Sequence, residues 1–427
     1  MKNNARAEYT LFFILIPAII ICSGCSNIDT KNKINITYHT IESLPEQLSA
    51  LQTLTDNFER ENPGINVEVE TAPSGTLSVF QKLKVRIAGK HPPDVFYMVT
   101  DRIDEYISRG AILDITESAE RDFPGLKQDY YPEVIESCYK NGKMYCFPFH
   151  FSTDLLFYNK DLFDAAGISY PEPGWNWQDV LESALKLTQT GQNGVKTYGF
   201  LQPRPLFLMR SFGSELFTGK PLKCTIDNTR SKAALQFLID LHSKYGVSPN
   251  NAVLNPAERS QSEMEMFKNG KAAMFTGRTY MLVDFAGIKG FKWDICSVPR
   301  GAKRYSRLAV GGNCISSDTK YPEASWKFIK YFSSREGTMV MTGKRNCVPA
   351  LKSAAESDSF LHPPPENMRF SILQLSFSEA ETYPIENWRE FLEKEFSSTT
   401  DRIILGKTSI AEGLSELQKK GQKYIRK

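Results

Sequence analysis

The side chains of this 427-residue chain that could do covalent or metal chemistry are scattered rather than grouped. Its five histidines are never i,i+4 neighbours, and the six cysteines after Cys25 form no pair with zinc spacing. No G-x-S-x-G, Walker A, H-E-x-x-H or G-x-G-x-x-G run occurs. A strained nucleophile, a phosphate cradle and a dinucleotide turn are therefore not in view. Carboxylates are plentiful, but no spacing singles out the pair that glycoside hydrolysis needs. No catalytic residue, metal ligand or cofactor is expected. What is left is recognition by carboxylates, guanidiniums, hydroxyls and aromatic rings presented from loops.

Those loops are set by an alternation of strand and helix. Ile34, Ile36 and Tyr38 alternate with polar residues as a strand does, and a loop from His39 to Glu42 follows. Ser43 with Glu46 three residues on reads as a capping box for a helix with Leu48, Leu51, Leu54 and Phe58 on one face. Ile65, Val67 and Val69 form a second strand, Pro73-Ser74-Gly75 a turn, and Phe80, Leu83 and Ile87 another helix. Residues 95–99 are a continuous apolar strand of the buried parallel type, with Asp101 and Arg102 just beyond it. Such alternation builds a largely parallel α/β sheet whose ligands sit beyond the carboxyl ends of its strands. Residues 272–275 read as a further buried strand, with Arg278 and Tyr280 after its end, and 199–202 as a strand end. Residues 233–245, 263–269 and 323–333 are expected as helices, and 372–377, 388–396 and 403–425 as closing helical segments.

The pattern changes at residues 145–168, YCFPFHFSTDLLFYNKDLFDAAGI. A Phe- and Pro-rich segment gives way to a short buried strand, after which Asn159 caps a new amphipathic segment ending at Gly167. The chain is expected to leave one lobe here and start the other, with Thr153 and Asp154 at the mouth of the groove between them.

Composition agrees with two lobes. The length fits two to three domains or one pair of lobes, and an apolar fraction of 41% supplies sizeable cores. A net charge of +3 gives no field for nucleic acid. The aromatic content of 12% serves either large cores or stacking surfaces. At the N-terminus, Lys2 and Arg6 precede an apolar run over 11–21, the length of a signal core and too short to span a bilayer. Cys22-Ser23-Gly24-Cys25 then resembles a lipobox, which makes 1–24 a signal peptide, Cys25 a lipidated residue and 25–33 a tether. Cys138 and Cys146 flank a hairpin signal at Lys140-Asn141-Gly142-Lys143, so a disulfide between them and a pair of buried thiols both stay open.

Several motifs occur in one order along the mature chain. They are Pro93-Asp94-Val95, Gly110-Ala111-Ile112-Leu113, Tyr158-Asn159-Lys160-Asp161-Leu162-Phe163, Phe267-Lys268-Asn269-Gly270-Lys271, Gly311-Gly312 and Glu323-Ala324-Ser325-Trp326. Together they resemble the maltose-binding-like (family 1) extracellular solute-binding proteins of bacterial ABC importers. The resemblance implies a two-lobed α/β fold of the type II periplasmic-binding class, with lobes at 34–154 plus 311–349 and 155–310 plus 350–427. Three hinge crossings are implied, at the 145–168 stretch, near Val310–Gly312 and near Cys347–Ala350. The implied ligand is a mono- or oligosaccharide, captured by hinge closure and passed to a membrane permease; the protein would be a lipid-anchored monomer outside the cytoplasm. Asp101 and Arg102 match a pair that binds sugar hydroxyls in the family, which suits a neutral polyol. His39 and Glu42 fall in the family's first-strand loop, Asp154 near its crossing carboxylate, and Arg204 in a second-lobe contact loop. Gly311 and Gly312 mark a crossing. Trp388 and Tyr280 fall where the family stacks aromatic rings on sugars. The chain departs from the pattern at Gly277-Arg278-Thr279, where a charged Arg278 could favour an acidic sugar. The alternatives are a binding protein for a peptide, polyamine, organic anion or acidic sugar, or a secreted glycan-acting enzyme.

Overall fold

The computed structural model describes residues 33–71, 75–191, 194–250, 256–343, 347–362, 364–380, 383, 385 and 387–425. The expected signal peptide, Cys25 and nearly all of the tether lie outside these residues.

The larger sheet is built from the alternating segments read above. Strands β1 (Ile34–His39), β2 (Ile65–Glu70) and β3 (Val95–Val99) pair in parallel, with β1 in the middle. Three later strands extend the sheet with antiparallel pairing, which corrects the expectation of a largely parallel one: β6 (Phe147–Ser152), β10 (Ser306–Ile315) and β11 (Val348–Pro349). Before β6, β4 (Tyr139–Lys140) and β5 (Lys143–Met144) form the expected hairpin, with Asn141 and Gly142 both at positive φ. The order is β11-β6-β10-β3-β1-β2, and β12 (Ser378–Ala380) adds to one end of β10. β3 is apolar throughout: β1 and β10 flank it, and Val95, Phe96, Tyr97 and Met98 are buried on alternate faces of the sheet. Tyr38, Phe58, Phe328 and Phe332 meet edge to face at 5.3–5.8 Å, and Tyr38 donates to Asn313 Oδ1 at 3.0 Å. Each such buried ring contributes about 2 kcal/mol by burial alone. The first helix, Pro45–Glu61, departs from the expected capping box: its start is closed by Gln47 Oε1, which accepts from Ser43 and Leu44 N–H groups.

The second sheet is small and antiparallel, with β7 (Asp154–Asn159) between β8 (Met274–Arg278) and β9 (Trp293–Cys296). Phe157 stacks on Phe275 at 5.0 Å and meets Phe285 edge-on at 5.3 Å. Asn159 caps the helix Lys160–Ala166 by accepting from Leu162 N–H, and Gly167 at φ +63° ends it, as the residues demand. Residues 199–202 form no strand; Tyr198 makes one isolated bridge to Ala272 instead.

The chain passes between the sheets three times. β6 ends at Ser152 and β7 begins at Asp154, so a single residue, Thr153, separates them. Thr153 is fully buried and tied down: its carbonyl accepts from Thr279 N–H at 3.0 Å and its hydroxyl donates to Ser371 O at 3.2 Å. The second passage runs over 297–305, between β9 and β10. The expected crossing at Val310–Gly312 is corrected here, because those residues sit in the middle of β10, paired to β3 and β6. The third passage is also later than expected. Lys352 donates to Gln128 O and Tyr131 to Glu356, keeping 352–356 on the first lobe. Glu366 and Asn367 reach the second lobe, on Lys160 and Asp294.

The six described cysteines are buried thiols with no disulfide among them. They pack as small apolar groups, and burial pushes the Cys138 thiol well above its usual range.

Candidate ligand site between the lobes

A cleft of about 660 Å³ opens between the lobes, within the usual range for a ligand site. Asp101 and Arg102 line one wall; Tyr383, Asn387, Trp388, Arg389 and Glu393 line the other. The turn Thr100–Arg102 follows β3 directly, which puts Asp101 at the carboxyl end of the sheet.

Asp101 is the electrostatic centre. Its side chain is 2% exposed, and its Oδ2 accepts from Arg307 Nη2 at 2.5 Å and from Arg389 Nη2. Burial works to raise its pKa, but the guanidiniums of Arg389, Arg307 and Arg102 outweigh it and hold the carboxyl below its ordinary value. Its other oxygen, Oδ1, is buried without a hydrogen-bond partner. Arg307 also ties in the crossing, since its backbone N–H donates to Asp154 Oδ2 at 2.8 Å. Arg278 Nε lies 3.8 Å from Asp154 Oδ1 across the last rung of β7 and β8. Arg102 donates to Glu393 Oε1 at 2.9 Å, with its guanidinium 4.9 Å from the Phe80 ring centre.

The aromatic wall differs from expectation. Trp388 lines the cleft but is only 6% exposed, being packed by Tyr383, Phe391 and Phe217 at 4.6, 5.9 and 6.5 Å. Tyr383, tilted against it, is half-buried where Trp388 is buried. Buried Arg210 lies 5.7 Å from the Tyr383 centroid and 5.4 Å from Tyr305, paired to Glu215 and Glu379.

Several expected contacts lie elsewhere. His39 is fully buried, its Nε2 3.1 Å from Val79 O, and burial lowers its pKa. Glu42 is 6% exposed and lies near Tyr38, Tyr97 and Cys347, where burial raises its carboxyl to about 7. Gly311 and Gly312 are glycines because of packing. A Cβ on Gly311 would fall 2.0 Å from His150 Nε2, and one on Gly312 2.4 Å from Phe147 O. Arg204, at the start of the helix Pro205–Ser211, is exposed and outside the cleft lining. Tyr280 is 36% exposed in a 3₁₀ turn and likewise does not line the cleft. The structure therefore brings Asp101, Arg102 and Trp388 together, with Asp154 and Arg278 joined through Arg307. Sequence reading missed Arg307, Tyr383, Arg389 and Glu393; the run from Tyr383 to Trp388 carried a signal, two aromatic residues five apart ahead of a helix. Among the described residues no group of three or more His, Cys, Asp or Glu stands together to hold a metal.

Residues 42–339 match the model of the family described as bacterial extracellular solute-binding protein. The chain belongs to that family. It is 25% identical over 410 residues to the multiple sugar-binding protein of Streptococcus mutans, covering 90% of each chain. It is 22% identical over 346 residues to the arabinooligosaccharide-binding protein of Bacillus subtilis, covering 79% of this chain and 77% of the other. Among solved structures, the fold is similar to an ABC substrate-binding protein from Listeria monocytogenes in complex with cycloalternan. That likeness has a TM-score of 0.80 at 24% identity, over 92% of this chain and 98% of the other. A maltose-bound MalE3 of T. maritima gives a TM-score of 0.77 at 20% identity, over 91% and 98%. Solute-binding proteins of this family are binding proteins rather than enzymes, and their location is extracytoplasmic.

Proposed function

We propose that this solute-binding protein is the substrate-binding subunit of an ABC importer and that it holds a mono- or oligosaccharide in the cleft. The observation that carries the reading is that Asp101 and Arg102, a carboxylate and a guanidinium, line a cavity of about 660 Å³ together with the half-buried ring of Tyr383. Hydroxyl groups both donate and accept, so such a pair matches a polyol, while the ring offers an apolar face to sugar C–H groups. The relatives named for sugars support the ligand class. Closure turns on the passages at Thr153, at 297–305 and after Glu356, which act as hinges. Lipid on Cys25 tethers the protein to the membrane beside its permease.

A thermal-shift screen over saccharides, uronides, peptides and polyamines tests the ligand class. A true ligand stabilises by RT ln(1 + [L]/Kd), about 2.7 kcal/mol at a hundredfold excess over Kd. A peptide that shifts the transition while no saccharide does overturns the reading. Release of reducing ends from a glycan points to an enzyme instead. For the anchor, Cys25→Ser is expected to move the protein from the membrane to the soluble fraction, and continued membrane association refutes it.

A further inference from the structure

Asp101 and Arg102 are neighbours of opposite charge on one lobe. Arg389 and Glu393 are of opposite charge on the other, four residues apart in the helical run that starts at Trp388. The two pairs meet in complementary order: Asp101 Oδ2 takes Arg389 Nη2, and Arg102 Nη2 donates to Glu393 Oε1 at 2.9 Å. Four residues make about one helical turn, so both second-lobe groups face the same way, toward the cleft. Swapping the register by one turn would set like charges against each other.

Each ion pair uses only part of its first-lobe partner. The shared atom of Asp101 is Oδ2, while Oδ1 is buried at the cleft without a hydrogen-bond partner. Arg102 gives Nη2 to Glu393, and its guanidinium has further N–H donors. The side chain of Asp101 is 2% exposed and that of Arg102 is 14% exposed. Neither can swing far while the lobes are together.

We propose that Arg389 and Glu393 are positioning residues. They form with Asp101 and Arg102 a reciprocal charge clasp across the cleft, which sets that pair to meet adjacent hydroxyls only when the lobes close. The ligand role rests on the saccharide reading above; the clasp itself does not. The Glu393 side chain is 45% exposed, so the Arg102–Glu393 half of the clasp is open to ionic screening, and dissolved salt weakens closing even when the ligand carries no charge. A neutral sugar then binds with a salt-dependent Kd, although nothing in the sugar itself responds to salt.

The test has two arms on the full mature chain. In the first, small-angle scattering of the ligand-free protein is recorded at 20 and 500 mM NaCl. Wild type is expected to become more extended at high salt, and Arg389→Gln and Glu393→Gln to be extended at both. In the second, a neutral saccharide that shifts the melting transition is titrated at the same two salts. Wild-type Kd is expected to rise about fivefold with salt, and Glu393→Gln to weaken binding about threefold and flatten the salt response. Arg389→Lys, which keeps the charge, is expected to restore most of what Arg389→Gln loses. A merely structural role for Glu393 would lower the melting temperature and leave the salt slope as in wild type. Unchanged dimensions and a salt-independent Kd in wild type overturn the clasp. If no saccharide binds, the scattering arm alone decides: extension with salt upholds the clasp, and its absence refutes it.

Discussion

Replacing Trp388 and Tyr383 separates packing from ligand contact on the second-lobe wall. Trp388 is 6% exposed and touches Phe217, Tyr383 and Phe391, so truncation to alanine removes the centre of an aromatic cluster. Large-to-small changes of this kind cost about 3–5 kcal/mol, which lowers the melting temperature by on the order of 10 °C. Tyr383 is the outer ring. Its loss forgoes one face of the cluster and the Arg210 contact, about 1 kcal/mol of stability. For a bound sugar it removes the stacking surface, worth about 1–2 kcal/mol or roughly 5–30-fold in Kd. Because Trp388→Ala would also disturb Tyr383, the informative substitution is Trp388→Phe, which keeps a ring in the cluster. Calorimetric unfolding and isothermal titration on Trp388→Phe and Tyr383→Ala decide the matter. Trp388→Phe is expected to keep wild-type affinity within about threefold, while Tyr383→Ala weakens it about 5–30-fold at a cost of about 1 kcal/mol in stability. The reasoning fails if Trp388→Phe abolishes binding at unchanged melting temperature while Tyr383→Ala binds normally.

Two further outcomes follow from buried groups away from the cleft. Burial raises Glu42 from an ordinary 4.5 to about 7, so the folded chain holds a proton that the unfolded chain releases over that range. The stability this proton contributes is full below pH 4.5 and is lost as pH rises through about 7. Glu42→Gln is therefore expected to gain on wild type by up to about 3 kcal/mol at pH 8 and by nothing at pH 4. Melting curves of both proteins from pH 4 to 8 check it, with Glu263, raised to about 7 by the same cause, leaving a residual slope. Parallel curves would sink the argument. At Gly311, the added methyl of Gly311→Ala meets His150 Nε2 at 2.0 Å and Tyr97 Oη at 2.5 Å, forcing apart rings that stack at 5.8 Å. A loss of about 1–3 kcal/mol in stability with ligand affinity unchanged is expected. Lost affinity at wild-type stability would restore Gly311 to the ligand site.

What could be read from the sequence was local. Asn159 and Gly167 announce a helix by the groups they offer its ends, and Asn141-Gly142 announces a hairpin by its tolerance of positive φ. Asp101 and Arg102 were legible because an apolar buried strand delivers them to the edge of its sheet. Their partners were not. Arg307 and Arg389 lie 206 and 288 residues further along the chain, and no local pattern marks a charge whose partner comes from so far. Gly311 was misread because a glycine pair looks alike whether it frees a hinge or admits a neighbouring ring. Trp388 was read as a stacking surface because its burial is decided by Phe217, in a separate part of the second lobe. Glu42 followed the right strand into the right loop, yet its side chain is buried near Tyr38 and Tyr97; loop placement constrains a backbone and leaves rotamers open.

The junction at Thr153 carries a consequence for how the halves can move. One residue, about 3.8 Å of chain, joins a strand of one sheet to a strand of the other, and its two soft torsions are its entire freedom. Such a short joint leaves far less room for sliding than for swing, because the strand ends it joins cannot move apart. The two longer passages can follow whatever arc it allows. In the closure proposed above, so short a joint holds the two faces near one alignment, which keeps Asp101 opposite Arg389 and Arg102 opposite Glu393.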